Sequence, residues 1–362
     1  MRHCKPIRDR SLQGPVQKTY CDRRLCLLPA ACVLLSCWLV AHAVAERSDQ
    51  GSLGTPAAGS QPTGQGSAGP EASRFDGQRA YDYLRLICSL GPRISGSQGM
   101  LRQQQLLEKH FKQLGAEVFY QRFQNKRHPR TGRPVPMANM VVRWQPEATD
   151  RILLCAHYDT RPLPDQDPDP HLQLHGTFLG ANDGASGVAL LMELGQHVAA
   201  LPDRYGIDIV LFDAEEFVWD ERRDQYFLGS TWFAQRYVQR DDDFRYVAGV
   251  LVDMVGDARL SVYQERHSKS WSDTRPLVDE IWGTAKRLGV REFIPKVGYL
   301  VKDDHLPLHQ IGRIPVIDVI DFNYPGRANR YWHTTADVPK NCSANSLGKV
   351  GWVLQEWLTT KE

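Results

Sequence analysis

The chain has 362 residues, of which 42% are hydrophobic and 24% are charged, and this composition is typical of a globular protein with a sizeable core. Its formal net charge of +2 comes from the first 45 residues, which hold seven of the 44 basic residues but only two of the 42 acidic ones. The rest of the chain has a net charge of −3, so we predict no nucleic-acid partner.

Residues 1–45 are arranged like a secretory signal peptide. Basic residues precede an apolar run at 25–41, and the small residues at 43–45 follow it. An uncleaved membrane anchor is the alternative, but the run is short for an anchor and is interrupted by Pro29 and Ser36. We therefore predict an exported protein, periplasmic or secreted, that contacts a membrane only if this segment is retained.

Residues 46–74 are rich in Gly, Ser, Pro and Gln and contain one large apolar residue, Leu53. Such a segment cannot bury enough apolar surface to become ordered, so we predict a flexible linker. From residue 75 to residue 362 the pattern is that of one folded domain, with cysteines at positions 88, 155 and 342. At most one disulfide is possible there, and no cysteine spacing indicates a thiolate zinc site.

Helical and strand patterns alternate along residues 75–362. Apolar residues at helical spacing predict helices at 76–88, 98–114, 187–200, 229–240, 274–288 and 345–358. Short apolar runs between polar turns predict strands at 140–144, 152–156, 207–212, 247–252 and 314–320. This alternation predicts a single α/β domain with a central mixed, mostly parallel β-sheet and helices on both faces.

Several polar residues follow the predicted strands or lie in the loops beside them. They are His157, Asp159, Asp183, Glu215, Glu216, Asp253 and His333. Taken singly, each has an ordinary interpretation as a capping or solvated side chain. In a sheet of this kind ligands bind beyond the carboxyl ends of the strands, and zinc needs several His, Asp or Glu ligands from separate elements. Together these residues predict a metal site.

Five sequence blocks resemble, in order and spacing, the metal-binding blocks of the M28 zinc aminopeptidase-like family. The blocks are AHYDT (156–160), GANDGASG (180–187), FDAEE (212–216), LVDMVGD (251–257) and WHTTAD (332–337). The resemblance covers most of residues 76–362 and implies that residues 75–362 are a zinc-dependent catalytic domain. It also implies that Asp183, Glu216 and His333 bind one zinc ion.

The resemblance assigns roles to the other polar residues as well. In the two-metal members of the family, the counterparts of His157 and Asp253 complete a second site that Asp183 bridges. Asp159 is expected to accept a hydrogen bond from His157 and fix its ring. Glu215 is expected to act as general acid and base beside the metal without binding it.

Three further features resemble the glutaminyl-peptide cyclotransferases, which share this fold. These enzymes convert an N-terminal Gln, and more slowly Glu, into pyroglutamate, and ammonia leaves from Gln. The block VKDDHLPL (301–308) resembles their DDH block, which makes Asp303 a catalytic residue that holds the γ-amide nitrogen, with Asp253 hydrogen-bonded nearby. A long segment before a Gly-Ser turn contains Trp219, and Trp332 precedes the last ligand, so we expect both tryptophans to contact the substrate in a poorly hydrated pocket.

Other features leave alternatives open. GANDGASG is closer to the peptidase form of its block, so two zinc ions stay possible although one is favoured. Ser186 stands where animal cyclases have a disulfide-forming cysteine, and Trp219 is displaced from the cyclase pattern. A zinc aminopeptidase that removes N-terminal residues is the alternative enzyme, and an inactive binding domain is a third hypothesis that the complete ligand set disfavours. We predict a zinc-dependent cyclase whose substrates are peptide or protein N-termini.

Overall fold

Most of the predicted domain folds around one sheet that carries the polar residues at one end. The computed structural model describes residues 74–124, 126–240 and 243–362. The predicted signal peptide at 1–45 and the predicted linker, except for its last residue, lie outside the described residues. The boundaries at 45 and 74 therefore stay predictions.

The central sheet has six strands in the order β1-β2-β4-β3-β5-β8. The strands of the described residues are β1 (Glu117–Phe123), β2 (Met137–Arg143), β3 (Asp150–His157), β4 (Gly206–Phe212), β5 (Arg245–Asp253), β6 (Val262–Gln264), β7 (Phe293–Val297) and β8 (Val316–Ile320). β2 pairs antiparallel with β1 and β4, whereas β4, β3, β5 and β8 run parallel. β6 and β7 form a separate parallel pair. The predicted mixed, mostly parallel sheet is confirmed.

Helices cover both faces of this sheet. The α-helices of the described residues are α1 (Gly77–Ser89), α2 (Gln98–Gln113), α3 (Pro170–His175), α4 (Ala185–Gly195), α5 (Leu228–Val238), α6 (Arg266–Ser270), α7 (Arg275–Leu288), α8 (His305–Gln310) and α9 (Ala344–Thr360). α1, α2, α4, α7 and α9 share the larger hydrophobic core, and α5 and α8 contribute to the core on the other face. None of the helices in the described ranges combines the length and apolar composition that a membrane span requires.

The residues of β3 explain why both faces are covered. Ile152 and Leu154 pack into the larger core, whereas Leu153 and Cys155 pack into the core beside α5 and α8. Successive side chains of a strand point to opposite faces, so an uninterrupted apolar run can be buried only between two layers. The buried run thereby fixes β3 at the centre of the sheet.

Two glycines of the block GANDGASG bring α4 close to the carboxyl ends of the strands. Gly184 has a φ of +94°, and a Cβ at this position would lie 3.0 Å from the carbonyl oxygen of Asp159. A Cβ on Gly187 would collide with the carbonyl oxygen of Val252 in β5. The turn that carries Asp183 is therefore held against the ends of β3 and β5.

The structure also contains elements that the sequence patterns did not predict, namely β1, β6, β7 and the short helices α3, α6 and α8. β1 is an edge strand in which only Phe123 is buried, and Glu117, Gln121 and Arg122 interrupt its apolar residues. Pairing with β2 rather than burial orders this strand, so it lacks the apolar run by which the other strands were predicted.

Candidate active site

The three residues assigned to the first zinc ion converge although they come from separate parts of the chain. Asp183 precedes α4, Glu216 follows β4 and His333 lies in the loop after β8. The Nε2 atom of His333 lies 2.6 Å from Oε1 of Glu216 and 3.6 Å from Oδ2 of Asp183. All three side chains are buried, and their potential ligand atoms lie within 4.8 Å of one another.

A second set of potential ligands lies on the other side of Asp183. The Nε2 atom of His157, the last residue of β3, lies 3.2 Å from Oδ1 of Asp183 and 3.2 Å from Oδ1 of Asp253, the last residue of β5. Asp183 thus has one carboxylate oxygen near each set. This is the arrangement in which a carboxylate can bridge two metal ions.

The chemistry of this cluster fits a divalent cation. Oδ2 of Asp183 and Oε2 of Glu216 are buried and have no hydrogen-bond partner among the described residues. Burying carboxylates without partners is costly, and a bound cation removes that cost. The ligand atoms are imidazole nitrogens and carboxylate oxygens, which suit zinc.

The two adjacent glutamates have different electrostatic environments. Burial raises the pKa of Glu215 well above its usual value, and the negative charge of Glu216 adds to this effect. Burial opposes ionisation of Glu216 as well, but the positive charge of His333 and that of Arg161 outweigh it and lower the pKa of Glu216 to about 2. Glu216 therefore ionises more readily than Glu215, and this difference suits a ligand beside a neighbour that takes up and releases a proton.

Asp159 holds the two glutamates rather than the imidazole of His157. Its Oδ1 accepts a hydrogen bond from the backbone N–H of Glu215, and its Oδ2 accepts one from that of Glu216, each at 3.1 Å. Oδ1 lies 3.7 Å from Nδ1 of His157, which is longer than a hydrogen bond. The structure thus differs from the predicted bond between His157 and Asp159, because both carboxylate oxygens face the turn after β4.

A cavity of about 470 Å³ opens onto this cluster. Asp183, Glu215, Glu216, Asp253, Asp303 and His333 line its polar part, and Tyr226, Phe322 and Trp332 line an aromatic part. A groove of about 610 Å³ beside α2 and β1 contains none of the predicted site residues. The acidic cavity is therefore the candidate active site, because it alone of these two combines ligands, a proton-exchanging group and an apolar wall.

The structure places the two predicted tryptophans differently. The ring of Trp332 stacks on His333, with 3.8 Å between the ring centroids, and lines the cavity. In the described residues, Trp219 is not part of the cavity wall but packs against Phe217 and His128. Asp224 fixes this position by accepting the backbone N–H of Trp219. We therefore do not assign Trp219 to the cavity wall.

Three aromatic residues of the cavity wall, Tyr226, Phe227 and Phe322, were not predicted from the sequence. Tyr226 belongs to the same long segment as Trp219. The segment therefore does reach the cavity, but with Tyr226 rather than Trp219. Phe322 follows β8 directly and contacts the ring of Trp332 edge to face, with centroids 5.3 Å apart. Its position directly after a strand that ends near the site is the sequence feature from which Phe322 could have been predicted.

Asp303 lines the cavity, and one of its two carboxylate oxygens has no hydrogen-bond partner among the described residues. Its Oδ1 accepts the backbone N–H of Asp304 at 2.6 Å, whereas its Oδ2 is buried and has no partner among the described residues. Burial raises the pKa of Asp303 well above its usual value, and the charges of Asp253 and Asp304 add to the effect. A group that donates a hydrogen bond to Oδ2 would stabilise the ionised form of this side chain.

Comparisons with known proteins show the family of this chain. The profile of peptidase family M28 matches residues 139–358. The crystal structure of Fimbriiglobus ruber glutaminyl cyclase superimposes with a TM-score of 0.75 at 36% sequence identity, covering 81% of this chain and 97% of that chain. A Zn-dependent exopeptidase from Parabacteroides distasonis superimposes with a TM-score of 0.73 at 29% sequence identity, covering 80% of this chain and 100% of that chain.

A curated relative extends the similarity over nearly the whole chain. The glutaminyl-peptide cyclotransferase-like protein of Bos taurus is 25% identical over 370 residues, which cover 92% of this chain and 88% of the relative. The family profile alone covers more than half of the chain, and the identity to the Fimbriiglobus ruber enzyme exceeds 30%. The chain therefore belongs to peptidase family M28 and, within it, to the glutaminyl cyclase-like enzymes.

Proposed function

We propose that this enzyme is a zinc-dependent glutaminyl-peptide cyclotransferase, which converts an N-terminal Gln of peptides, and more slowly Glu, into pyroglutamate. The observation that carries the proposal is Asp303, which lines the same cavity as Glu215 and the ligand cluster and whose Oδ2 has no hydrogen-bond partner among the described residues. A cyclase needs an acceptor for the γ-amide nitrogen at this place, in addition to a base for the α-amine. Ammonia then leaves from Gln.

In the proposed reaction the α-amine attacks the γ-carbonyl carbon of the same residue. Asp183, Glu216 and His333 would hold the zinc ion, which when bound polarises that carbonyl and stabilises the negative charge developing on its oxygen. Glu215 takes a proton from the attacking amine as the ring C–N bond forms, and returns it to the leaving nitrogen as the amide C–N bond breaks.

The remaining residues position the substrate and limit the access of water. Asp303 accepts a hydrogen bond from the γ-amide nitrogen, and Asp253 lies beside it in the cavity. Tyr226, Phe322 and Trp332 form an apolar wall around the reacting residue. Because attacking amine and carbonyl belong to one residue, holding them in ring-closing geometry supplies much of the acceleration.

Replacing Asp303 by Ala should lower turnover on a Gln peptide by about ten- to a thousandfold, because the variant loses a hydrogen bond made to the reacting amide in a desolvated site. The number of zinc ions bound per chain should stay unchanged. Asp304→Asn is the matched control, since Asp304 is equally buried but bonds to the Oγ atom of Ser230 rather than facing the substrate. Equal turnover of wild type and Asp303→Ala per zinc-loaded molecule would remove the role of Asp303.

Product analysis on three peptides tests the proposed function itself. A Gln-Phe-type peptide should lose ammonia and keep all its residues, whereas a Leu-Phe-type peptide should stay intact. An Asn-Phe-type peptide is the matched control, because its side chain is one methylene shorter and would have to close a strained four-membered ring. Release of free Leu, or of free Gln, would identify an aminopeptidase instead.

The aminopeptidase is a second candidate because His157 and Asp253 form a second potential ligand set around Asp183. Two zinc ions at such a site would activate a water molecule for hydrolysis. Elemental analysis distinguishes the two functions in part: about one zinc ion per chain favours the cyclase, and two favour the peptidase.

We also propose that the enzyme acts outside the cytoplasm, on the basis of the signal-peptide layout of residues 1–45. Sequencing the N-terminus of the protein recovered from its host tests this. A start near residue 46 is the expected result, and an intact leader on soluble cytoplasmic protein would contradict it.

A further inference from the structure

Arg161 is a buried cation directly behind the candidate zinc site. Its residue exposure is 1%, and it forms a two-pronged ion pair with Asp165, in which Nε and Nη2 donate to the two carboxylate oxygens at 2.8 and 2.7 Å. Its Nη1 lies 3.7 Å from Oε1 of Glu216 and has no other partner among the described residues. The guanidinium group thus faces one predicted zinc ligand directly.

The same ion pair reaches a second predicted ligand. Oδ1 of Asp165 lies 3.4 Å from Nδ1 of His333, on the opposite side of the ring from the Nε2 atom that faces Glu216. His333 has a φ of 54°, a left-handed conformation that a non-glycine residue keeps only when its surroundings hold it. The carboxylate of Asp165 therefore lies beside the ring of His333 as an ion-pair partner, and Arg161 holds this carboxylate in place.

The loop that carries Asp165 also holds the backbone around His333. The N–H of Gln166 donates to the carbonyl oxygen of His333 at 3.1 Å. Asp167 accepts hydrogen bonds from the backbone N–H and the hydroxyl group of Thr335. The loop that begins at Arg161 thereby holds the main chain around the predicted ligand and places Asp165 beside its ring.

Arg161 also contacts the wall of the cavity. Its Nη2 donates to Oε1 of Glu221 and to the hydroxyl oxygen of Tyr226, each at 3.1 Å. Both of these residues line the cavity. One guanidinium group therefore joins the ligand cluster to the wall that would enclose a substrate.

We propose that Arg161 is a positioning residue that orients Glu216 and, through Asp165, His333 for zinc binding, and that fastens Tyr226 beside them. The inference rests on the zinc dependence in the proposed function. It requires an arginine, because only the planar guanidinium fork can serve Asp165 with two nitrogens while a third faces Glu216. A lysine at this position keeps the charge but loses the fork.

The test compares Arg161→Lys with Arg151→Lys by zinc affinity, measured in competition with a chromophoric chelator. Arg151 is a suitable control because it is fully buried and pairs with Asp208 at 2.6 Å near the start of β3, at the opposite end from His157. Arg161→Lys should weaken zinc binding by about ten- to a hundredfold, the usual effect of losing a residue that orients a metal ligand. Arg151→Lys should lower only the unfolding temperature.

Asp165→Asn decides the question if Arg161→Lys does not fold. Asp165 is partly exposed and its amide is isosteric, so this variant should fold and bind zinc more weakly than wild type. Wild-type zinc affinity in a folded Arg161→Lys or in Asp165→Asn would overturn the proposal, as would an equal loss in Arg151→Lys. The zinc-binding assay contains no peptide, so it is independent of the proposed reaction. If the variants bind zinc more weakly but the wild-type protein has no cyclase activity, the proposed reaction is refuted and the role of Arg161 is not.

Discussion

Glu215→Gln should lower turnover on an N-terminal Gln peptide by at least about a hundredfold, the usual contribution of a residue that transfers protons in the transition state. The amide has nearly the shape of the carboxylate but cannot accept the proton of the α-amine. Burial and the charge of Glu216 raise the pKa of Glu215, which suits a group that must hold a proton before passing it to the leaving amide nitrogen. Zinc content should be that of wild type.

Glu216→Gln is the matched control, since the two residues are adjacent and both are held by Asp159. This variant should lose affinity for zinc, because a neutral amide replaces the carboxylate of Glu216, whose Oε1 lies 2.6 Å from Nε2 of His333. Turnover should recover in part at high zinc concentration, unlike that of Glu215→Gln. If Glu215→Gln loses zinc while Glu216→Gln keeps it, the two assignments are reversed.

Removal of the metal with a heterocyclic chelator should abolish activity, and added zinc should restore it. In the proposed reaction the zinc ion polarises the γ-carbonyl group, so the metal-free chain lacks the main source of transition-state stabilisation. An isomer of the same heterocycle that cannot chelate is the control for binding of the reagent in the aromatic cavity.

Far-ultraviolet circular dichroism of the treated protein separates loss of the metal from loss of the fold. Secondary structure should persist, because the two larger hydrophobic cores consist of apolar side chains and include none of the predicted zinc ligands. Full activity of protein shown by elemental analysis to contain no metal would contradict zinc dependence.

The central sheet could be predicted because its parallel strands are apolar on both faces. The runs that became β3, β4 and β5 are buried almost throughout, and each ends where the polar residues begin. Carboxyl ends of parallel strands meet at one end of a sheet, so His157 and Asp253 had to come close together. The placement of Asp183 and His333 in the site was predicted only from the family resemblance, because the path of a loop cannot be predicted from hydrophobic periodicity.

Other features depend on contacts that no local pattern encodes. Trp219 and Tyr226 belong to one segment, and hydrogen bonds of Asp224 and Arg161 decide which ring faces the cavity. Asp159 bonds to the turn after β4 rather than to His157, because the turn presents two backbone N–H groups to its carboxylate. Arg161 follows the block AHYDT directly, but its significance depends on Asp165 and on the fold that brings His333 to them.

A mass spectrum of the products formed from a Gln-Phe-type peptide in water labelled with heavy oxygen distinguishes cyclisation from hydrolysis. Cyclisation uses the peptide's own amine as nucleophile, so we expect a single product that has lost ammonia and carries no label. Hydrolysis by an aminopeptidase would add a labelled oxygen to the carboxyl group of released Gln. Labelled free Gln together with an unmodified remaining peptide would contradict the assignment of this cavity to cyclisation.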